Sequence, residues 1–364
     1  MLPAPSPQEQ LVFLDHVQRL FDEGEFVATY KYALLLAITE LAVEQGYDGG
    51  DTLDLFHKDI ADKFLELYWP QAVPYRAAAQ DGVLIQNNGP QQAATIRLVT
   101  ELRSRHGSLS RARMSPEWIV AVRKTVALLK EMPLWRLQVL RRQEVPFLYI
   151  PATGPYIKLL PGVMYNLRRF HGLLQQLVRA AWANHIRTNP RNAALLGDAN
   201  DLEDVLFGTD RASLALARPI LRELQDDTCF YCHGRLGEAG EVDHFIPRSR
   251  YPRDLGHNFV LAHKKCNGDK RDLLAATAHL EKWRTRNDVQ GALLKRELES
   301  RFICDELTTL RVAHWSYEHA FATAAQAWQG TRRVVPLDDA YRHILAYPAV
   351  PLSVAAPADT GLLS

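Results

Sequence analysis

Cysteine is scarce in this chain, with four in 364 residues, and three of those four lie at 229, 232 and 266. So few, so clustered, they read as metal ligands rather than as a disulfide framework. Long hydrophobic runs are missing too. The most apolar stretch, Tyr32 to Ile38, is stopped by Thr39 and Glu40, far short of a membrane span. The opening residues Met1 to Pro7 have neither the basic start nor the apolar core of a secretion signal. The expectation is a cytoplasmic protein with no membrane partner. Excess charge of one sign is also absent, since 43 Lys plus Arg face 42 Asp plus Glu. A chain this balanced is no general binder of polyanions, so any nucleic-acid surface must be a local patch. No internal repeat is visible.

What remains is an ordinary globular composition, 47% apolar and 23% charged, long enough for more than one core. Apolar residues recur at helical spacing over Pro7–Asp22 and Phe26–Gln45, and Asp51–Trp69 continues the pattern until Pro70. Val83-Leu84-Ile85 before Asn87-Asn88-Gly89 reads as a strand and turn. Gln91–His106 and the stretch from Ser115-Pro116 to Lys130 read as helices. Phe147–Pro151 and Tyr156–Leu160 form a hairpin around Thr153-Gly154-Pro155. Val163–Arg187 follows as one long helix with Arg168, Arg169, Arg179 and Arg187 on a basic face, read as solvated, with a DNA-facing stripe as the alternative. The polar stretch 189–209 reads as a surface linker, with Asp210 capping a helix that runs to Gln225. Three helices then follow the cysteine region: 275–287, 289–304 and 306–328. The predicted class is mainly α with a small α+β module. Its domains are a helical N-terminal domain (1–190), a linker and lead-in helix (191–225), the module (226–290), C-terminal helices (291–346) and a Pro/Ala-rich disordered tail (347–364).

The module carries the chemistry. Cys229-Phe-Tyr-Cys232 is a C-x2-C pair and His263-Lys-Lys-Cys266 an H-x2-C pair. Two such pairs suit tetrahedral zinc, and four protein ligands leave no open position, so the zinc is structural. Cys304 has no partner in this pattern and reads as an inert buried thiol.

Between the pairs run Glu241-Val-Asp243-His244-Phe-Ile-Pro247 and His257-Asn258-Phe259, and after the last ligand comes Asn267-Gly-Asp-Lys270. This constellation resembles the HNH family of endonucleases. The resemblance implies a ββα-metal fold with Asp-His on the first strand, Asn on the second and Asn on the helix. Many members hold that fold with zinc on two C-x2-C pairs, and His263 here stands where the third cysteine would be. Phosphodiester hydrolysis needs activated water and neutralised phosphate charge. A magnesium or manganese ion suits the second need, with Asp243 and the Asn267 amide oxygen as hard ligands. His244 is the natural general base. The resemblance assigns the same roles and adds Asn258, which fixes the chain beside His244. Neighbours on a strand face opposite ways, so Asp243 and His244 should sit where the strand ends, before Pro247.

From Cys229 to Asn287, eleven Lys plus Arg face seven Asp plus Glu, a local basic excess suited to DNA phosphates. Arg248, Arg250 and Arg253 after the base, and Lys264, Lys265, Lys270 and Arg271 on the helix, are the expected backbone contacts. His257 is a lesser candidate, and Trp283 reads as core. The N-terminal segments Ala28–Leu36 and Phe64–Trp69 resemble the leading region of bacterial proteins that end in HNH nucleases, a resemblance that implies no ligand; their position ahead of the nuclease module suggests a specificity or sensing role, as in restriction or phage defence. A double-strand cut from one site per chain would need two turnovers or a homodimer. The competing readings are a non-catalytic zinc-stabilised nucleic-acid binder and an RNA-cutting toxin.

Overall fold

The computed structural model describes residues 2–75, 82–151, 154–196, 202–208, 214–238 and 240–346. Thr153 of the hairpin turn, the Asp210 cap and the tail from 347 lie outside them. No helix among the described residues is long and apolar enough to cross a membrane.

Two hydrophobic cores organise the chain, one drawn from Phe13 to Phe207 and the other from Ala217 to Leu345 with Val43 added. The first is built from α1 (Pro7–Glu23), α2 (Tyr30–Gln45), α3 (His57–Tyr68), α4 (Ala94–His106) and α5 (Pro116–Glu131). Ser6 caps α1 and receives Glu9 in return, with Pro7 in the first turn. Helix α2 is buried at every position from Lys31 to Glu44. Its middle, Tyr32–Ile38, is apolar on all sides and has no solvent face to offer, and its buried charges Glu40 and Glu44 find ionic partners, so it becomes the central helix. Its C-terminal end reaches the second core through Val43.

The sequence reading needs correction at several points. Leu53–Phe56, expected as helix, is strand β1. Leu53 and Leu55 point inward and Asp54 outward, a period of two that the short segment hid. β1 pairs with β3 (Tyr156–Leu159), which also pairs with β2 (Tyr149–Pro151), giving an antiparallel sheet in the order β1-β3-β2. The long helix after it breaks at Phe170 into α6 (Val163–Arg169) and α7 (His171–Thr188). Arg168 is not solvated. It is buried and donates from Nη1 to the carbonyls of Ala42, Val43 and Gly46, with Asp48 on Nε at 2.6 Å. It thus satisfies the open carbonyls at the end of α2. The expected linker is packed as well: Asn189 and Asn192 are buried and bond the backbone of Asn87 and Ile85, and Leu202, Leu206 and Phe207 join the first core.

In the second core, α8 (Arg218–Leu224) precedes a hairpin of β4 (Glu241–His244) and β5 (Phe259–Ala262), then α9 (Lys264–Lys270). The expected break at Asn287 is absent. α10 runs unbroken from Thr277 to Leu298 because Asn287 is buried and donates to the His257 carbonyl, while Arg286 donates to the carbonyls of His257 and Phe259. After α11 (Glu306–Ala322) the expected helix stops. Residues 326–336 form a hairpin, β6 (Gln326–Gly330) with β7 (Arg333–Pro336), and Trp328 exchanges backbone bonds with Leu274 and Ala276.

A buried ionic cluster joins the two cores. Glu40 and Glu44 of α2 meet Lys63 and Glu66 of α3, with Lys63 Nζ at 3.8, 2.7 and 3.1 Å from Glu40, Glu44 and Glu66. From the β4–β5 loop, Arg253 reaches Glu40 at 2.6 Å and Glu66 at 3.1 Å, and the Tyr251 hydroxyl donates to Glu44. Burial alone would raise the Glu66 carboxyl, but Lys63, Arg113 and Arg253 hold it at about 2. Glu44 goes the other way, because burial outweighs Lys63 and raises it.

These opposite shifts predict opposite pH behaviour. A depressed carboxyl stabilises the fold above its ordinary range, and that stability is lost as pH falls toward the folded value. Glu66→Gln should therefore cost about 3–5 kcal/mol at neutral pH, the penalty for stranding a buried partner. The deficit should shrink between pH 4.5 and about 2. A raised carboxyl costs stability once pH exceeds its ordinary range, so Glu44→Gln should match or exceed the parent at neutral pH and gain nothing in acid. Urea unfolding of both variants across pH decides it, and equal losses at neutral pH would contradict the assignment.

Candidate active site

The first metal-ligand pair lies on a tight knuckle. His233 takes a left-handed conformation at φ 61°, and its N–H donates back to the Cys229 carbonyl at 3.0 Å. At Gly234 a Cβ would sit 3.3 Å from His263 Cε1, so the absence of a side chain lets the knuckle close on the second pair. Phe230 and Tyr231, between the cysteines, are buried and pin the knuckle to the core. The second pair comes from His263, at the N-cap of α9, and Cys266 in its first turn. All four ligand atoms lie within 4.8 Å of one another. His263 faces Cys232 Sγ with Nδ1 at 3.2 Å, while Nε2 lies 2.9 Å from the Arg235 carbonyl. A carbonyl only accepts, so Nε2 carries the proton and Nδ1 is free to ligate, the usual arrangement around a bound metal. Three thiols and an imidazole nitrogen converging in this way are compatible with structural zinc.

Asn267 is one residue past Cys266 and turns to the strand side. Its Nδ2 donates to Glu241 Oε2 at 3.2 Å, which leaves the amide oxygen available. Glu241 and Asp243, two apart on β4, share the face toward α9. Asp243 Oδ2 accepts from the Tyr231 hydroxyl at 2.5 Å and pairs with Lys270 Nζ at 3.1 Å. Glu241, Asp243 and Asn267 therefore supply oxygen donors at one strand–helix junction, the chemistry a hard divalent cation requires. Lys270, expected to contact a DNA phosphate, lies inside the domain instead. Its side chain is fully buried and also donates to the His244 carbonyl at 3.0 Å. It neutralises Asp243 and cannot meet a phosphate.

His244 ends β4 and faces away from Asp243. Its ring meets Phe259 edge-on at 5.2 Å, and Nε2 lies 2.8 Å from Asp254 Oδ1. Burial raises the Asp254 carboxyl, but the His244 bond and Arg248 outweigh it and hold it below the usual range. It is therefore ionised at neutral pH and accepts the Nε2 proton. Nδ1 has no partner among the described residues. Asn258 is buried and brackets Ile246, donating from Nδ2 to its carbonyl at 2.9 Å and accepting its N–H on Oδ1 at 2.8 Å. With the bond from Phe245 N–H to the Asn258 carbonyl, it continues the ladder past His244. Phe245 stacks on Trp283 at 5.0 Å.

The match to known families falls on this ground. Residues 231–276 match the model of a family described as HNH endonuclease. The chain carries an HNH endonuclease domain. The match spans β4, β5, α9 and three of the four converging ligands, and leaves both flanks uncovered. Neither the curated proteins nor the solved structures compared with the chain give a match.

Other expected contacts around the HNH domain divide. Lys264, Lys265 and Arg271 are exposed on or beside α9. Arg248 and Arg250 are half-buried, and Arg248 donates to the Phe207 carbonyl at 3.1 Å. Arg253 is withdrawn into the ionic cluster, and His257 is buried with Nε2 at 3.1 Å from the Gly291 carbonyl. Neither can reach a phosphate. Cys304 is only partly buried, and a Cβ on Gly256 would fall 2.5 Å from its sulfur. Sequence reasoning missed Asp254, Glu241 and Asp269. Asp269 accepts from Trp328 Nε1 and the Arg332 N–H, each at 2.8 Å, and so ties α9 to the β6–β7 hairpin. Glu241 carried a signal, lying two residues before Asp243 on a strand. Asp254 carried none.

Proposed function

We propose that the protein hydrolyses DNA phosphodiester bonds at the HNH domain, with His244 as general base and a magnesium or manganese ion held by Asp243 and Asn267, with Glu241 beside them. The observation that carries this reading is the His244–Asp254 pair, which holds one imidazole nitrogen and leaves the other free to accept a proton. When bound, the divalent ion supplies charge neutralisation at the phosphate and the departing oxygen. His244 Nδ1 takes the proton of a water whose oxygen bonds to phosphorus as the bond to the 3′-oxygen breaks. Nε2–H stays on Asp254, which offsets the charge of the imidazolium. Asn258 keeps the end of β4 from fraying, and zinc on Cys229, Cys232, His263 and Cys266 holds the start of the helix that presents Asn267. Lys264, Lys265 and Arg271, together with Arg248 and Arg250, would meet backbone phosphates, which position substrate without reading its sequence.

The test is conversion of supercoiled plasmid to the nicked or linear form. Cutting is expected with Mg²⁺ or Mn²⁺ and not with EDTA, and a labelled RNA of the same sequence should be cut more slowly. DNA binding without cleavage under either metal would favour the non-catalytic reading, and faster RNA cutting would favour the toxin.

A further inference from the structure

Asp254 stands between two networks drawn from distant parts of the chain. Toward β4 its carboxylate receives His244 Nε2 at 2.8 Å and lies 3.6 Å from Arg248 Nε. The preceding residue, Arg253, turns the opposite way into the first core. There Nε and Nη2 both donate to Glu40 of α2, and Nε also lies 3.1 Å from Glu66 of α3. Gln175 of α7 supports Glu40 at 3.1 Å, and Tyr251 of the same loop is tied to Glu44. A planar guanidinium gripped by carboxylates from two helices is fixed in orientation as well as position. The adjacent residue inherits that fixity through one peptide plane.

We propose that Asp254 is the positioning residue of His244, and that the helical half of the chain sets it through the clamp of Arg253 on Glu40 and Glu66. This rests on reading His244 as the general base. The carboxylate selects the imidazole tautomer with hydrogen on Nε2, so the lone pair that accepts the water proton is on Nδ1. The helices thus act on catalysis through the loop that carries Asp254. An HNH domain detached from them would keep its zinc ligands and lose the alignment of its base, and a misplacement of about 1 Å can cost about 100-fold in rate.

The full-length chain tests this by plasmid nicking and, independently of added Mg²⁺ or Mn²⁺, by the ¹⁵N signals of His244 in histidine-labelled protein, assigned by their loss in His244→Ala. The parent should show the Nε2–H tautomer. Asp254→Asn should lower kcat by roughly 10- to 100-fold with KM within about twofold, and should move the His244 signals toward Nδ1–H. Arg253→Lys keeps the buried charge but loses the fork, and should lower kcat several-fold. In the combined variant Arg253→Met, Glu40→Gln, Glu66→Gln, Lys63 keeps its ion pair with Glu44, and Arg113 keeps the one it makes with Asp62 of α3. It should melt cooperatively, yet show reduced kcat and mixed His244 tautomers. If Asp254→Asn cuts like the parent while His244→Ala is inactive, the positioning role is wrong and the general base stands. If His244→Ala cuts like the parent, the base assignment fails first. A folded combined variant with unchanged kcat and unchanged His244 signals removes the helical half from the mechanism.

Discussion

Cleavage by His244→Ala is expected to fall by about 100- to 10,000-fold, the usual contribution of a positioned general base. The remaining activity would come from the divalent ion and from phosphate binding, neither of which needs the ring. Zinc content should stay at the parent's value, because the converging ligands Cys229, Cys232, His263 and Cys266 do not include His244. Melting should change little. Asp254 keeps Arg248 beside it, and the ring's loss removes one edge contact to Phe259 without opening the stack of Phe245 on Trp283. Added imidazole should restore part of the activity by entering the vacated space. Parent-level cutting by His244→Ala under Mg²⁺ or Mn²⁺ would show that the base lies elsewhere.

The second large effect is expected on loss of the zinc. Cys229→Ser and Cys266→Ser should each bring zinc content from one per chain to near zero, abolish cleavage and lower the melting temperature. The first turn of α9 begins on His263 and Cys266, so an untethered helix loses the placement of Asn267 against Glu241. Complete unfolding is not expected. Phe230 and Tyr231 remain buried between the ligands, and the surrounding core extends through Trp283, Tyr317 and Trp328. A metal held at a thousandfold excess over its dissociation constant stabilises by about 4 kcal/mol, so for a chain of this size a drop on the order of 10 °C is the natural scale. Elemental analysis and calorimetry of parent and variants check both points. A parent that binds no zinc at all would refute the site.

Some of this was legible because local spacing determined it. Two residues between ligands bring Cys229 to Cys232 on a knuckle and His263 to Cys266 on a helical turn, whatever the rest of the fold does. Consecutive helix positions diverge by roughly 100°, so a ligand at Cys266 and an amide facing the strand at Asn267 could be expected from order alone. Apolar residues at helical spacing over Phe26–Gln45 marked a helix, found as α2. What was misread lacked a local period. Leu53–Phe56 was too short to show its alternation, and Gln326–Gly330 is held as a strand by the backbone of residues 274–276 rather than by its own propensity.

The tertiary structure alone decided which charges are free. Lys270, Arg253 and Arg168 read as surface cations in the sequence, and each is drawn onto a partner outside its own element: Asp243, Glu40 and the end of α2. The same holds for Asp254, ten residues past His244, a separation that no helical or strand period turns into a contact. The sequence by itself determined the metal-binding spacing and the order of Asp243, His244, Asn258 and Asn267, because those follow from backbone geometry over a few residues. How His244 is oriented depends on a loop pinned by helices some two hundred residues earlier, and long-range ion pairing of that kind leaves no periodic trace in a chain.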